Sequence, residues 1–287
     1  MGNSTSKKDN VIHADIADGN EPIPIKVINN YNEKQPFPFQ YGTEYRLSEK
    51  VKSLTYQPTE SDGCNCVAEC TSELCRCESS STATFDTINR RMQTFIDSYT
   101  CGDHQYIECG QHCGCMAKCK RRLTRDTIMK NIEVRYKPDV GFTVIACQHI
   151  AAGMPIMNYI GNVVIQEELE KNLNAIWGTD YTFNFHNEGN HKFHCDAAEY
   201  GNISRFMSHS CDPNAYILKA FPSTPFDKSK IVIPKLVVIA LRSIIPGNEI
   251  TITYGASYFR DRDIPCLCYT FVCAIPPGIF NIATPHC

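Results

Sequence analysis

Nine cysteines stand in two tight clusters. The first reads C-x-C-x3-C-x4-C-x-C through Cys64, Cys66, Cys70, Cys75 and Cys77. After a 31-residue gap the second reads C-x3-C-x-C-x3-C through Cys109, Cys113, Cys115 and Cys119. Thiols at this density suit zinc, which takes four thiolates in a tetrahedron; nine thiolates complete three tetrahedra when three of them bridge two ions each. A third group, Cys266, Cys268 and Cys273, spaced C-x-C-x4-C, is one ligand short of a structural zinc. Cys101, Cys147, Cys195 and Cys287 are left with no assigned role.

The remaining composition narrows the class. The chain has 287 residues, of which 17 are cysteine and 43% are hydrophobic, enough for a sizeable core. Residues 1–20 hold no apolar segment of the kind a secretory signal needs, and the cysteine count is odd. Metal-bound thiolates in a reducing compartment are therefore expected, not a secreted disulfide scaffold. A net charge of −3 offers no overall basic footprint, so sequence-specific nucleic-acid binding is not expected. The most apolar run, Ile231 to Leu241, is interrupted by Pro234 and Lys235, so no membrane span is expected. The opening Met1-Gly2-Asn3-Ser4-Thr5-Ser6, followed by Lys7 and Lys8, fits an N-myristoylation pattern. One acyl chain would anchor only weakly.

The elements that must position these groups are mostly short strands. Residues 1–22 are polar and predict a disordered tail. Residues 23–63 carry Pro24, Pro36 and Pro38 among Tyr31, Phe37, Phe39, Tyr41 and Tyr45, which predicts extended chain wrapping a body, not helix. Between the cysteine clusters, Phe85, Ile88, Met92, Phe95 and Ile96 recur at helical spacing and predict a short amphipathic helix. From Ile132 onward come β-like runs at Ile132 to Tyr136, Phe142 to Ala146, Met157 to Ile160, Tyr181 to Phe185 and Lys235 to Ala240. Glu167 to Leu173 is the one helical insert. The prediction is a mainly β domain of many short strands.

The segment Gly201-Asn202-Ile203-Ser204-Arg205-Phe206-Met207-Ser208-His209-Ser210-Cys211-Asp212-Pro213-Asn214 closely resembles the G-N-I-S-R-F-x-N-H-S-C-x-P-N motif of SET-domain protein lysine methyltransferases. The nine-cysteine cluster resembles their pre-SET motif, and the terminal C-x-C-x4-C resembles their post-SET motif. The three motifs in this order point to the histone H3 lysine-9 branch. The resemblance implies a SET fold of short strands (β-clip), with pre-SET over residues 23–125, SET over 126–260, and post-SET with tail over 261–287. It also implies S-adenosylmethionine as methyl donor, three zincs in the pre-SET cluster and one in the post-SET site. The partner would be a histone H3 tail or nucleosome, in the nucleus on chromatin. Cys211 would complete the post-SET zinc; read on its own, it could equally be a buried apolar thiol.

Methyl transfer to lysine is an in-line displacement that needs a neutral amine, though free lysine has a pKa of about 10.4. A narrow apolar channel beside a sulfonium favours that neutral form. The resemblance makes Tyr254 the catalytic tyrosine and Tyr181 a second channel tyrosine. It assigns cofactor contacts to Gly141, Phe142, Thr143, Tyr181, Arg205, Phe206, Ser208 and His209. No glycine-rich dinucleotide loop follows any strand, so a Rossmann-type methyltransferase is not supported.

The chain departs from the family pattern at several of these positions. Thr143 stands where the second glycine of G-x-G is usual, and Ser208 where asparagine is usual. Ile252 replaces an aromatic two residues before Tyr254, and Thr253 replaces the usual aspartate. An acidic stretch that meets basic histone side chains in the family reads Asn184-Phe185-His186. These changes leave two other readings open: a non-catalytic SET scaffold, and an enzyme acting on a non-histone lysine.

Overall fold

The computed structural model describes residues 8–56, 59, 62–67, 70, 75–86, 89, 91–92, 105–115, 119–125, 128–172, 180–188, 191–222 and 231–273. Three sheets surround the main core. One runs in the order Val11–His13, Val27–Ile28, Ile132–Lys137, Gly141–Ala146. A second runs Pro155–Tyr159, Lys235–Ala240, Ala215–Pro222, Gln105–Glu108. The third runs Thr182–Glu188, His191–Gly201, Gly161–Ile165, Arg46–Leu47, with Gln40–Tyr41 beside His191–Gly201.

Burial follows the pleat. In Ile132–Lys137, Ile132 and Val134 point inward while Glu133 and Arg135 do not, because successive side chains face opposite sides of a strand. Pro155–Tyr159 is buried at every position, as in a strand covered on both faces. Gly161 and Gly201 face each other in register. A Cβ on either would lie 2.5 Å from a backbone carbonyl oxygen, of Asp196 and Ile160 respectively, so the two backbones meet only because both residues are glycine. Among the described residues, no helix is long and apolar enough to cross a membrane.

Three expectations need correction. The predicted disordered tail is ordered from residue 8: Val11–His13 pairs with Val27–Ile28, and Ala17 is fully buried. Its polar composition conceals a turn in which the Asp15 carboxylate accepts the backbone N–H groups of Ala17, Gly19 and Ile25 at 2.9–3.0 Å. The predicted helix over Phe85 and Met92 is a hairpin, with Phe85–Asp86 antiparallel to Arg91–Met92. Asn89 donates its backbone N–H and its side-chain amide to Asp86, which closes the turn. Ile88, Phe95 and Ile96 lie outside the described residues. Within the predicted extended region, Glu49–Leu54 is a helix, capped by the Ser48 hydroxyl and seated by buried Val51.

The cysteine-rich region is joined to the second sheet through Arg121, which is 1% exposed. Its guanidinium lies over the Tyr106 ring at 4.8 Å, donates to the Ile107 carbonyl at 2.8 Å and pairs with Glu78. Tyr106 and Ile107 belong to the strand that pairs with Ala215–Pro222. Arg121→Met would strand the Glu78 carboxylate and is expected to destabilise the fold by about 3–5 kcal/mol, the usual result of removing one partner of a buried pair. Thermal unfolding with zinc content held constant checks it.

Candidate functional site: a cleft beside a four-cysteine group

A cleft of about 910 Å3 opens between the hairpin Ile132–Lys137/Gly141–Ala146 and the segment that carries the last cysteines. Its floor is a 3-10 helix, Ile203–Phe206, followed by Ser208–His209, which pairs in parallel with Thr251–Ile252. The Asn202 side chain starts the 3-10 helix by accepting from the Ser204 N–H, and Asn202 is itself fully buried. Two distant stretches of chain thereby meet side by side, Ser208 opposite Thr251 and His209 opposite Ile252.

Most of the residues singled out in the sequence come together here. Gly141, Phe142, Tyr181, Arg205, Phe206, Ser208, His209 and Tyr254 all line the cleft. Gly141 has φ +97°, a conformation that glycine adopts without strain. Phe142 sits between Tyr136 and Phe206, with ring centroids 5.3 and 6.1 Å away. Arg205 is 4% exposed; it donates to the carbonyls of Ala197 and Ala198, each at 2.9 Å, and stacks over Tyr181 at 4.0 Å. Its remaining terminal nitrogen has no hydrogen-bond partner among the described residues. The guanidinium is packed among the rings of Phe39, Tyr181 and Phe206, so it braces the aromatic wall of the cleft.

Tyr254 lines the same cleft. Its hydroxyl donates to the Met207 carbonyl, and its ring packs 4.9 Å from Tyr258 and stacks on Phe259 at 6.5 Å. Burial, reinforced by Tyr258, raises the Tyr254 phenol well above its ordinary value. The group is thus a neutral hydroxyl with its proton committed to Met207 and its oxygen lone pairs free to accept. It is not a base. Tyr181 is held in place by the Tyr159 hydroxyl, which donates to the Tyr181 carbonyl at 2.8 Å.

Thr143 does not line the cleft; it is 1% exposed and lies beneath the wall. The hydroxyl of Ser208 donates to the Thr143 hydroxyl at 3.1 Å, and Thr143 donates in turn to Glu249. Lys137 reaches the other Glu249 oxygen at 3.0 Å. Burial alone would raise the Glu249 carboxyl, but the Ser208 and Thr143 hydroxyls and Lys137 hold it below the usual range. The two departures from the family pattern therefore touch each other. Ile252 is 7% exposed and belongs to the core. At Asn184-Phe185-His186, Phe185 is fully buried and Asn184 bonds His194 Nδ1 at 2.6 Å, so that stretch offers the cleft no carboxylate.

Sequence reading missed Tyr258, Phe259 and Glu249. Tyr254 comes just before the N-cap Gly255 of the helix Ala256–Arg260 and packs on Phe259, its fourth helical residue, the spacing of a hydrophobic staple that was available as a signal. Glu249 had no such signal, since its partners Thr143 and Lys137 are more than a hundred residues away.

The cysteines are all free thiols among the described residues. Three overlapping tetrads, Cys64/Cys70/Cys75/Cys109, Cys64/Cys109/Cys113/Cys115 and Cys70/Cys109/Cys115/Cys119, each keep their sulfurs within 4.8 Å of one another. Cys77 lies 3.8 Å from Cys113, and Cys66 packs against the same cluster. A fourth tetrad joins Cys211 to Cys266, Cys268 and Cys273. Cys211 is 3.9 Å from both Cys266 and Cys273. Zinc–sulfur bonds of about 2.3 Å give a tetrahedron edge of about 3.8 Å. The spacing and the sharing of thiols fit bridged zinc in the first cluster, and the fourth tetrad fits a single zinc with Cys211 as a ligand.

Comparison with known proteins agrees with this architecture. The SET domain model matches residues 141–255 and the Pre-SET motif model residues 17–122. The Arabidopsis thaliana histone-lysine N-methyltransferase, H3 lysine-9 specific SUVH4, is 27% identical over 280 residues, covering 88% of this chain and 43% of its own. The chain thus spans less than half of that relative's length. The probable histone-lysine N-methyltransferase set-23 of Caenorhabditis elegans is 31% identical over 229 residues, covering 74% of this chain and 85% of its own. Among solved structures, Arabidopsis thaliana SUVH6 in complex with SAM superposes with a TM-score of 0.77 at 24% identity, covering 95% of this chain and 57% of that one. With both family models matched in order, and the set-23 relative aligned over most of its length, the chain belongs to the SET-domain family.

Proposed function

We propose that this chain is an S-adenosylmethionine-dependent protein-lysine N-methyltransferase acting on histone H3, with lysine 9 as its target. One observation carries the reading: a half-buried, protonated Tyr254 hydroxyl, fixed on the Met207 carbonyl, lines a cleft walled by Tyr181, Phe142 and Phe206. The relatives named for H3 lysine 9 and a KRYPTONITE structure with H3(1-15) peptide and SAH support the substrate.

S-adenosylmethionine supplies a sulfonium methyl for in-line displacement. Phe142 and Phe206 would pack the apolar surface, and Arg205, tied to the Ala197 and Ala198 carbonyls and stacked on Tyr181, would brace that wall. The Tyr254 oxygen would accept weak C–H contacts and orient the incoming amine. No residue here is asked to act as a strong base. The aromatic walls lower the cost of the neutral amine by excluding water. Zinc in the four-cysteine group would pin residues 266–273 across the cleft that Cys266 and Cys268 help to line. A nuclear, chromatin-bound setting accords with this substrate. Gly2, the candidate acylation site, lies outside the described residues.

The deciding experiment is transfer of labelled methyl to nucleosomes and free H3, with lysine 9 replaced by arginine as control. Label on H3 that survives the replacement would move the target elsewhere; no label on any protein substrate would favour the scaffold. The pH profile adds a second check. Free lysine titrates at about 10.4, so turnover is expected to rise from about pH 7 and then level as the neutral amine saturates. Because the Tyr254 phenol is raised above its ordinary value, no descending limb from its ionisation is expected below about pH 9.5.

A further inference from the structure

His209 sits between the four-cysteine group and Tyr254, and its two ring nitrogens face different partners. Nδ1 lies 2.9 Å from the Tyr254 backbone N–H, which can only donate, so Nδ1 must accept. A neutral imidazole with an accepting Nδ1 carries its proton on Nε2. Nε2 lies 3.2 Å from Cys211 Sγ and therefore donates to it. The ring is clamped from the side by Phe259, with centroids 4.6 Å apart, and stands 5.4 Å from the Tyr254 ring. The main chain adds a parallel tie, because His209 is in register with Ile252 and the Ser210 N–H donates to the Ile252 carbonyl at 2.9 Å.

We propose that His209 is a positioning residue that transmits the state of the post-SET metal site to the catalytic tyrosine. A metal on Cys211, Cys266, Cys268 and Cys273 would fix the Cys211 thiolate. The thiolate fixes the imidazole's tautomer and orientation, as an outer-shell hydrogen bond does around metal ligands in general. The accepting Nδ1 then fixes the Tyr254 backbone, and with it the direction of the hydroxyl toward Met207. On this view the last zinc does more than hold the tail over the cleft: it sets the aim of Tyr254. The proposal rests on the methyl-transfer reading for its kinetic arm and stands without it for its spectroscopic arm.

The test uses the full chain. Nitrogen NMR of labelled histidine in the wild-type protein is expected to show His209 as the Nε2–H tautomer; the Nδ1–H tautomer would overturn the proposal whatever the enzyme does. Two variants then divide the relay. An asparagine amide overlaps the Nδ1 position and a glutamine amide reaches toward Nε2, so His209→Asn keeps the acceptor for Tyr254 and loses the donor to Cys211, while His209→Gln does the reverse. With cadmium in place of zinc, the cadmium resonance of the post-SET site is expected to move in His209→Asn and to stay in His209→Gln. Both variants are expected to lower kcat by about tenfold while the KM for S-adenosylmethionine stays within about twofold, since either break uncouples the same relay. Wild-type kcat in either variant with full metal content would sink the relay. An increase in cofactor KM at unchanged kcat would make His209 a cofactor contact instead. Absence of methyl transfer by the wild-type protein would count against the enzymatic reading alone, with the tautomer and cadmium results still deciding the relay.

Discussion

Tyr254→Phe is expected to lower the maximal rate of methyl transfer by about a hundredfold or more, the scale of losing one preorganised polar contact at a reacting centre. The substitution is clean because the ring has its own support. Tyr258 and Phe259 pack against it, and the backbone N–H is held by His209 Nδ1. Only the hydroxyl and its bond to the Met207 carbonyl disappear. A phenyl group at this position can neither accept from the transferring methyl nor orient the amine. Binding of S-adenosylmethionine should change by no more than about twofold, since a contact that matters at transfer lowers kcat without weakening ground-state binding. Stopped turnover assays with cofactor binding measured separately make the comparison. A variant that turns over at the wild-type rate would remove Tyr254 from the chemistry, and one that fails to bind cofactor would place it in the binding site instead.

Cys109→Ser is expected to have the largest effect on folding. Cys109 is the thiol common to all three tetrads of the first cluster, and its Sγ lies 3.5 Å from Cys70 Sγ. Where a site does not exist in the unfolded chain, metal affinity is folding energy, of apparent magnitude about 10–16 kcal/mol per structural zinc. That matches or exceeds the whole stability of a typical domain, about 5–15 kcal/mol. Removing a bridging ligand should therefore release the zincs it joins and unfold the cysteine-rich region. The damage should spread, because Gln105–Glu108, which leads directly into Cys109, is the edge of the second sheet. Cys211→Ser provides the contrast: it should cost one zinc and leave the first cluster full. Metal content and thermal unfolding of both proteins test the pair. Equal zinc loss from the two would contradict separate sites, and a folded, fully loaded Cys109→Ser would contradict the bridging role.

Some of this was legible in the chain because it is local. Cysteine spacing declares metal binding, since ligands two to five residues apart need only a short loop to converge. Strands such as Ile132–Lys137 and Lys235–Ala240 follow from apolar runs and alternation, because a strand's burial pattern is written in its neighbours. The helix Gln166–Asn172 was visible for the same reason. Local pattern misled where one side chain outweighed it. Asp15 gathers three backbone N–H groups and turns a polar tail into core-forming chain around Ala17, and the Asp86–Asn89 contacts select a hairpin over the helical spacing of Phe85 and Met92.

What the sequence by itself determined is the kind of chemistry: thiol clusters for zinc, a tyrosine and an arginine for the cleft, and the strands that carry them. What only the tertiary structure decided is how distant residues answer one another. Cys211 reaches a tetrad 55 residues downstream, Ser208 meets Thr143 across 65 residues, and His209 links a thiol to the backbone of Tyr254 across 45. The physical reason is that a hydrogen bond or a metal tetrahedron is specified by ångström-scale geometry in space, which the order of residues along a chain does not contain.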